Sequence, residues 1–229
     1  DRSTDNLEAW GLAVRGYSYW HRYTEEGNAK ARELFQGAIE IDPDYAWAWT
    51  MFGFTYFIDT RYGWYSSRGE SFKKMVECAQ KSVLLNETEP DVYTLLAKIH
   101  LWKKEYDKAI AAAQALEQRM PESPIPYNLS GLAYLAEREF DAASERFELA
   151  LEKDPEFLVA RMNLARLALV AQQPDAAAAA YEAVLQQDPK HLGAMMGLAA
   201  LARSLLGERP VRAEIVLDSG GSYAKSTCG

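Results

Sequence analysis

Cysteine is nearly absent from this chain: of 229 residues, two are cysteine, Cys78 and Cys228. One falls in a helical stretch and the other near the end of the chain. They read as unrelated thiols rather than a disulfide framework. Histidine is scarce too, and His21, His100 and His191 stand far apart without ligand-type neighbours, so no metal is expected. No apolar run approaches the ~20 residues of a membrane helix, so no membrane insertion is expected. A basic excess is missing as well. Asp and Glu number 33 against 25 Lys and Arg, and the net charge is -8 with both signs mixed along the chain. A general nucleic-acid binder needs a basic face, so nucleic acid is not an expected partner, although a local basic patch stays open. The first residue is Asp1 rather than Met and no secretory signal follows, which suggests a processed chain or an excised fragment.

What the chain does have is a globular balance, 48% apolar and 25% charged, and enough length for one or two domains. It also has a period. Pro121, Pro155 and Pro189 recur at intervals of 34 residues. From Pro90 to His191 the register is unbroken. The eighth position of each interval is small (Ala97, Gly131, Ala165) and the twentieth is Ala109, Ala143 or Ala177. The twenty-fourth is Ala113, Phe147 or Tyr181. Each interval holds two amphipathic helical patterns, A and B. A small residue at position eight lets helix A approach helix B, and a Pro after helix B ends it. One such hairpin cannot bury its own apolar face and must stack on neighbours.

These residues resemble the tetratricopeptide repeat (TPR), most closely at 90–123, 124–157 and 158–191. The register extends upstream with insertions. Trp49, Gly53 and Tyr56 take positions four, eight and eleven of a repeat at 46–89, interrupted by the loop "DTRYGWYSSRG" and resumed at a capping-box spacing, Ser67 and Glu70. A first repeat covers 9–45. After His191, "LGAMMGLAALARSLLG" reads as a capping helix over 192–207, stopped by Gly207. The expected organisation is therefore a lead-in at 1–8, a solenoid at 9–207 and an irregular tail at 208–229. The expected fold is all-α: a right-handed α-solenoid of TPR hairpins with a C-terminal capping helix, eleven helices in all.

All six Trp lie between Trp10 and Trp102. This aromatic half, from "GYSYWHRYTEEGNAKARELF" through the "RYGW" loop, is similar to the TPR region that follows the catalytic domain of some bacterial adenylate/guanylate cyclases. The later stretch "FLVARMNLARLALVAQQPDAAAAAYEAVLQQDPKHLGAMMGLAALAR" is similar to bacterial TPR lipoproteins. The texture changes near 116–125, which reads as drift between repeats. The cytoplasm is the expected compartment, with the periplasm as the alternative if the chain is part of a lipoprotein.

What the TPR resemblance implies for binding is a concave groove lined by helix A. Carried over position by position, the candidate groove residues are Trp47, Phe54, Phe57, Lys98, Trp102, Asn128, Leu132, Met162, Arg166 and Arg203. The groove is then apolar and aromatic, with Lys98, Asn128, Arg166 and Arg203 as polar points, and the apolar members could equally pack within the stack. The expected partner is a protein or peptide segment with apolar anchors and an acidic group. Arg146, on helix B of the fourth repeat, is expected on the convex side. The Lys/Asn/Arg clamp that some TPR domains use for chaperone tails is incomplete.

The tail breaks the period. "RAEIVL" has strand-like composition. "DSGGS" resembles the nucleophile segment of trypsin-like proteases, but the His and Asp partners and the β-barrel that sets them are missing. "SGGSYAKST" lacks the glycines and the following helix of a phosphate-binding loop. The tail reads as a Gly/Ser-rich end, a remnant of a following domain or an appended stretch. The sequence thus predicts a binding scaffold, with a regulatory or coupling role in a larger bacterial signalling protein, rather than an enzyme, and with no cofactor. A homo-oligomerisation module is the alternative, and an enzyme using the tail or an acidic groove the least favoured reading.

Overall fold

The computed structural model describes residues 4–64 and 67–205. They form eleven α-helices and no strand. In order these are α1 (Leu7–Trp20), α2 (Glu25–Ile41), α3 (Ala46–Tyr62), α4 (Arg68–Leu85), α5 (Pro90–Lys103), α6 (Tyr106–Arg119), α7 (Pro124–Glu137), α8 (Phe140–Lys153), α9 (Leu158–Val170), α10 (Pro174–Gln187) and α11 (Leu192–Leu205). Odd-numbered helices are the A helices of the repeat and even-numbered ones the B helices. α1 packs on α2, α3 on α4, α7 on α8 and α9 on α10 as hairpins. Among the described residues the chain divides into two compact units, 4–99 and 100–205, and the division falls inside α5. The tail from Glu208 and its two catalytic look-alikes lie outside the described residues, as do Tyr65 and Ser66 of the "RYGWYSS" loop.

Two kinds of turn repeat along the chain. Between helix B and the next helix A, an Asx turn closes the corner. Asp42, Asn86, Asp154 and Asp188 each accept from the backbone N–H two residues on, at 3.2, 3.0, 2.9 and 3.0 Å. Their extended backbone ends the preceding helix, and Pro follows three of the four. Between helix A and helix B the chain passes through a left-handed residue. Lys104, Arg138 and Gln172 have φ of 59°, 66° and 59° and are spaced by the repeat length. The N–H of the following residue reaches back to the carbonyls of His100, Tyr134 and Ala168, which is a Schellman closure made without glycine. Ser67 caps α4 by accepting from Glu70 N–H at 3.3 Å, and its hydroxyl also meets the Glu70 carboxylate at 3.1 Å.

The cores follow the period. In the first unit Phe35, Tyr45, Met51, Met75 and Leu95 are nearly fully buried, with Ala9, Ala13, Ala31, Ala38 and Ala79 between them. In the second unit the small row is fully buried at Ala109, Ala143, Ala165 and Ala177, and the bulky row at Phe147 and Tyr181. Gly131 shows why the small row is small. A Cβ on it would stand 2.6 Å from the Phe147 ring, so the ring has taken the space that any side chain would need. Cys78 is buried in the first unit, and desolvation pushes its thiol up to about 12, so it stays protonated.

A buried polar network joins α2 to α3. Arg32 donates to Asp59 at 2.6 Å, to the Thr55 carbonyl at 3.2 Å and to the Thr55 hydroxyl at 3.2 Å. Asn28, one turn earlier, donates to the Thr55 carbonyl at 3.0 Å and to Asp59 at 3.3 Å. Arg32 also lies over the Tyr56 ring at 4.4 Å. Asp59 is fully buried and faces Arg32 as an ion pair. In the second unit Arg146 departs from the expected convex placement. It pairs with Glu117, donates to Ser130 Oγ at 2.8 Å and lies 4.8 Å over the Tyr127 ring, tying α8 to α6 and α7. A guanidinium at this position is half-buried structure, not solvated surface.

Three variants test this packing by denaturant unfolding. Gly131→Leu must displace the Phe147 ring and is expected to cost roughly 1–3 kcal/mol; unchanged stability would mean that the ring contact is not what holds the hairpin. Asp59→Ala removes the carboxylate that faces the buried Arg32 guanidinium and is expected to cost about 3–5 kcal/mol. Arg138→Gly relieves a left-handed side-chain residue on the surface and is expected to stabilise by roughly 0.5–1 kcal/mol.

Candidate peptide-binding face

The A helices of the first unit, α1, α3 and the start of α5, together present aromatic rings. Trp47 on α3 is held on several sides. Its ring lies 6.4 Å from Phe35 and 6.1 Å from Tyr45, both buried, and 5.8 Å from Tyr17 of α1. Its Nε1–H donates to Asp91 Oδ2 of α5 at 2.9 Å. Tyr17 stacks at 5.9 Å on Trp20 and meets the edge of His21 at 4.3 Å. Trp20 in turn contacts Phe54 at 5.6 Å and Tyr23 at 5.6 Å. Tyr17 keeps 39% of its surface exposed, although rings surround it. These contacts have favourable aromatic geometry and fix the rings before any ligand arrives.

Burial displaces the titratable groups here toward their neutral forms. Burial raises the Asp91 carboxyl above its ordinary value, and the Trp47 N–H only partly opposes that. Burial and the neighbouring Asp91 charge also raise Glu89. Tyr17 is raised by burial and then by Asp91, and Tyr45 is pushed up to about 12 by burial with help from Glu89 and Asp42. His21 is lowered by burial, which favours the neutral ring. The face is therefore aromatic with negative potential at the N-terminal end of α5. Farther along α5, the Lys98 ammonium lies 4.9 Å over the Phe57 ring.

Of the residues expected to line a groove, Trp47 and Lys98 are half-buried on this face. Phe54 and Phe57 are packed to 6% and 8% exposure, so most of their surface already serves the first unit's core. Trp102, at the end of α5, is 41% exposed. In the second unit Leu132 is buried on α7, and Met162 packs in a cluster with Tyr181, Val184 and Ala194. Asn128 is buried and accepts from Asn163 Nδ2 at 2.7 Å; Arg166 donates to Asn163 Oδ1 at 3.3 Å. These three make a polar rung between α7 and α9. Arg203 on α11 is exposed.

Four participants escaped the sequence reading. Asn163 could have been noticed, because it occupies the sixth position of its repeat, where the two preceding repeats have Leu95 and Leu129. The equivalent signal for Tyr17, Trp20 and His21 was their place on the helix A of the first repeat, to which the groove positions were not extended. Among the described residues no three His, Cys, Asp or Glu side chains are arranged to hold a metal, and no helix is long and apolar enough to cross a membrane.

Comparisons with known proteins agree with this architecture. The tetratricopeptide repeat family model matches residues 128–191 and 162–220. No curated protein matches the chain. Among solved structures, the chain is similar to TTC0263, a thermophilic TPR protein of Thermus thermophilus, with 19% identity, a TM-score of 0.70, and coverage of 86% of this chain and 99% of that one. It is also similar to PilW, a type IV pilus biogenesis factor, with 14% identity, a TM-score of 0.71, and coverage of 89% and 88%. A third is YrrB, described as a TPR protein with an unusual peptide-binding site, at 17% identity, a TM-score of 0.52, and coverage of 76% and 84%. The family model covers part of the chain, and at these identities the likeness to the solved structures is one of fold: the chain has the fold of TPR proteins.

The displaced carboxyl gives a test of the face without a ligand. Asp91 binds its proton more tightly in the folded chain than in the unfolded one, whose ordinary value is 3.8. Its burial therefore costs stability as pH rises from the ordinary carboxylate range through the raised folded value, and Glu89 acts in the same sense. Asp91→Asn keeps an oxygen for the Trp47 N–H and removes that cost. The variant is expected to melt higher than the parent at neutral pH, and the advantage is expected to shrink as pH falls below the ordinary range. A lower melting temperature at neutral pH would contradict the assignment.

Proposed function

We propose that the chain is a scaffold that binds a peptide or protein segment on the exposed side of its A helices, and that it serves as the regulatory or coupling part of a larger bacterial signalling protein. The observation that carries the binding part is the large aromatic side chains left partly in solvent on A helices: Trp10 at 38%, Tyr17 at 39% and Tyr62 at 51% exposed in the first unit, and Trp102 at 41% in the second. A rigid aromatic surface of this kind supplies desolvated contact area at low entropic cost. The peptide-binding site named for YrrB shows that the fold can carry such a function. The signalling part rests on the likeness of residues 7–115 to the TPR region of adenylate/guanylate cyclases. That likeness favours the cytoplasm, and the lipoprotein likeness of the later repeats leaves the periplasm as the alternative.

A second reading has its own observation. Leu7, Trp10 and Val14 are 64%, 38% and 40% exposed at helical spacing on α1. A second copy of the chain could cover that stripe. Light scattering over a range of concentrations separates the two readings. A monomer throughout is expected for the scaffold; a dimer that dissociates on dilution, and is lost in Trp10→Glu, would favour self-association.

Binding itself is tested with a partner captured from the source cell and then purified. Trp102→Ala is expected to lose roughly 2 kcal/mol of affinity, mainly through faster dissociation. Arg166→Glu is expected to slow association and flatten its salt dependence. If the purified partner bound both variants as tightly as the parent, the A-helix assignment would be lost.

A further inference from the structure

The charge on the first unit's face has a sign, and it is opposite to that of the polar points expected along the groove. Asp91 is half-buried, accepts from Trp47 Nε1 at 2.9 Å and pairs with no cation among the described residues. Trp47 meets it edge-on through Nε1–H, Tyr17 lies 5.8 Å from the Trp47 ring at a 45° tilt, and Trp20 stacks on Tyr17 at 5.9 Å. Ring faces carry negative quadrupole density, and a carboxylate at their margin adds to it. His21, edge-on to Tyr17 at 4.3 Å, has its neutral form favoured by burial. Lys98 lies seven residues along α5, about 10 Å away by helical rise, over its own ring, Phe57.

We propose that the Tyr17–Trp47–Asp91 surface is a seat for a lysine or arginine side chain of a bound peptide. The aliphatic stem lies against Tyr17 and Trp47, and the charged head reaches the Asp91 carboxylate. Long basic side chains suit such a place because their stems bury against apolar rings while the head keeps a polar partner. Charge complementarity selects this occupant. An acidic side chain would meet Asp91 and Glu89 at like sign, and a purely apolar one would bury a carboxylate without compensation. The inference rests on the peptide-binding reading and deepens it by naming the anchor chemistry.

The test is selection from a display library of random dodecapeptides on the immobilised full chain. Enriched peptides are expected to share a Lys or Arg flanked by apolar residues. A synthetic copy of the leading sequence is then measured against the same peptide with norleucine or leucine in place of its basic residue. Replacing the basic residue is expected to weaken binding about tenfold or more, and Asp91→Asn in the protein to do the same. Tyr17→Leu is expected to weaken it about threefold or more. Circular dichroism and melting of each variant keep a folding defect from passing as a binding defect. Enriched peptides that lack a basic residue, or that bind Asp91→Asn as tightly as the parent, would overturn the inference and leave the scaffold reading standing. If the full chain enriched no peptide at all, the scaffold reading would fail, and this inference with it.

Discussion

The structure depends on how closely two helices of a hairpin can approach. Position eight of helix A and position twenty of helix B are alanine or glycine through the second unit, and in its last two hairpins the rings at position twenty-four, Phe147 and Tyr181, fill the space they leave. At Gly131 the Phe147 ring would stand within 2.6 Å of any Cβ, so the close approach and the large ring are one arrangement. Once the hairpin is that tight, each helix has apolar surface left on its outer side. A lone hairpin cannot hide it, and stacking on the next repeat does. The fixed period of the sequence is the record of that requirement.

The proposed binding face follows from the stack. Because B helices and the inner sides of A helices supply the core, the outer sides of the A helices are free to carry other side chains. In the first unit they carry rings locked by Phe35 and Tyr45 and a carboxylate whose burial is unfavourable for folding. The carboxyl lies in the first turn of α5 and accepts the Trp47 N–H, and these contacts offset its desolvation only in part. A group that a fold keeps at a cost to itself is where binding chemistry is to be sought. The buried Arg32–Asp59 pair is different in kind, since its members satisfy each other and join α2 to α3 inside the unit.

The fold was legible because its determinants are local and periodic. Small residues, prolines and apolar spacing place eleven helices, and eleven are present among the described residues. The Schellman turns were not legible. Lys104, Arg138 and Gln172 adopt left-handed backbone without the glycine that would have announced it, because the two closing hydrogen bonds override the side-chain preference. The site was legible in part. Groove positions carried over from the family name Trp47 and Lys98, which are half-buried, but position alone does not say how much surface survives packing, and Leu132 and Asn128 are buried. Arg146 shows the same limit: its position implied an outer surface, and its partners Glu117, Ser130 and Tyr127 come from two other helices that no local pattern links to it. Cross-helix pairs of this kind become visible when the helices are placed side by side.

The central claim is that a peptide binds on the aromatic face of the first unit's A helices. The chain has six tryptophans, and each contributes an indole N–H resonance to an ¹⁵N-correlated NMR spectrum. Trp47 donates to Asp91 on the face, whereas Trp49 donates to the Pro43 carbonyl away from it. Titrating a bound peptide into the ¹⁵N-labelled full chain is expected to move the Trp47 and Trp20 indole signals and leave that of Trp49 in place. Saturable binding that leaves Trp47 and Trp20 unmoved would contradict the account.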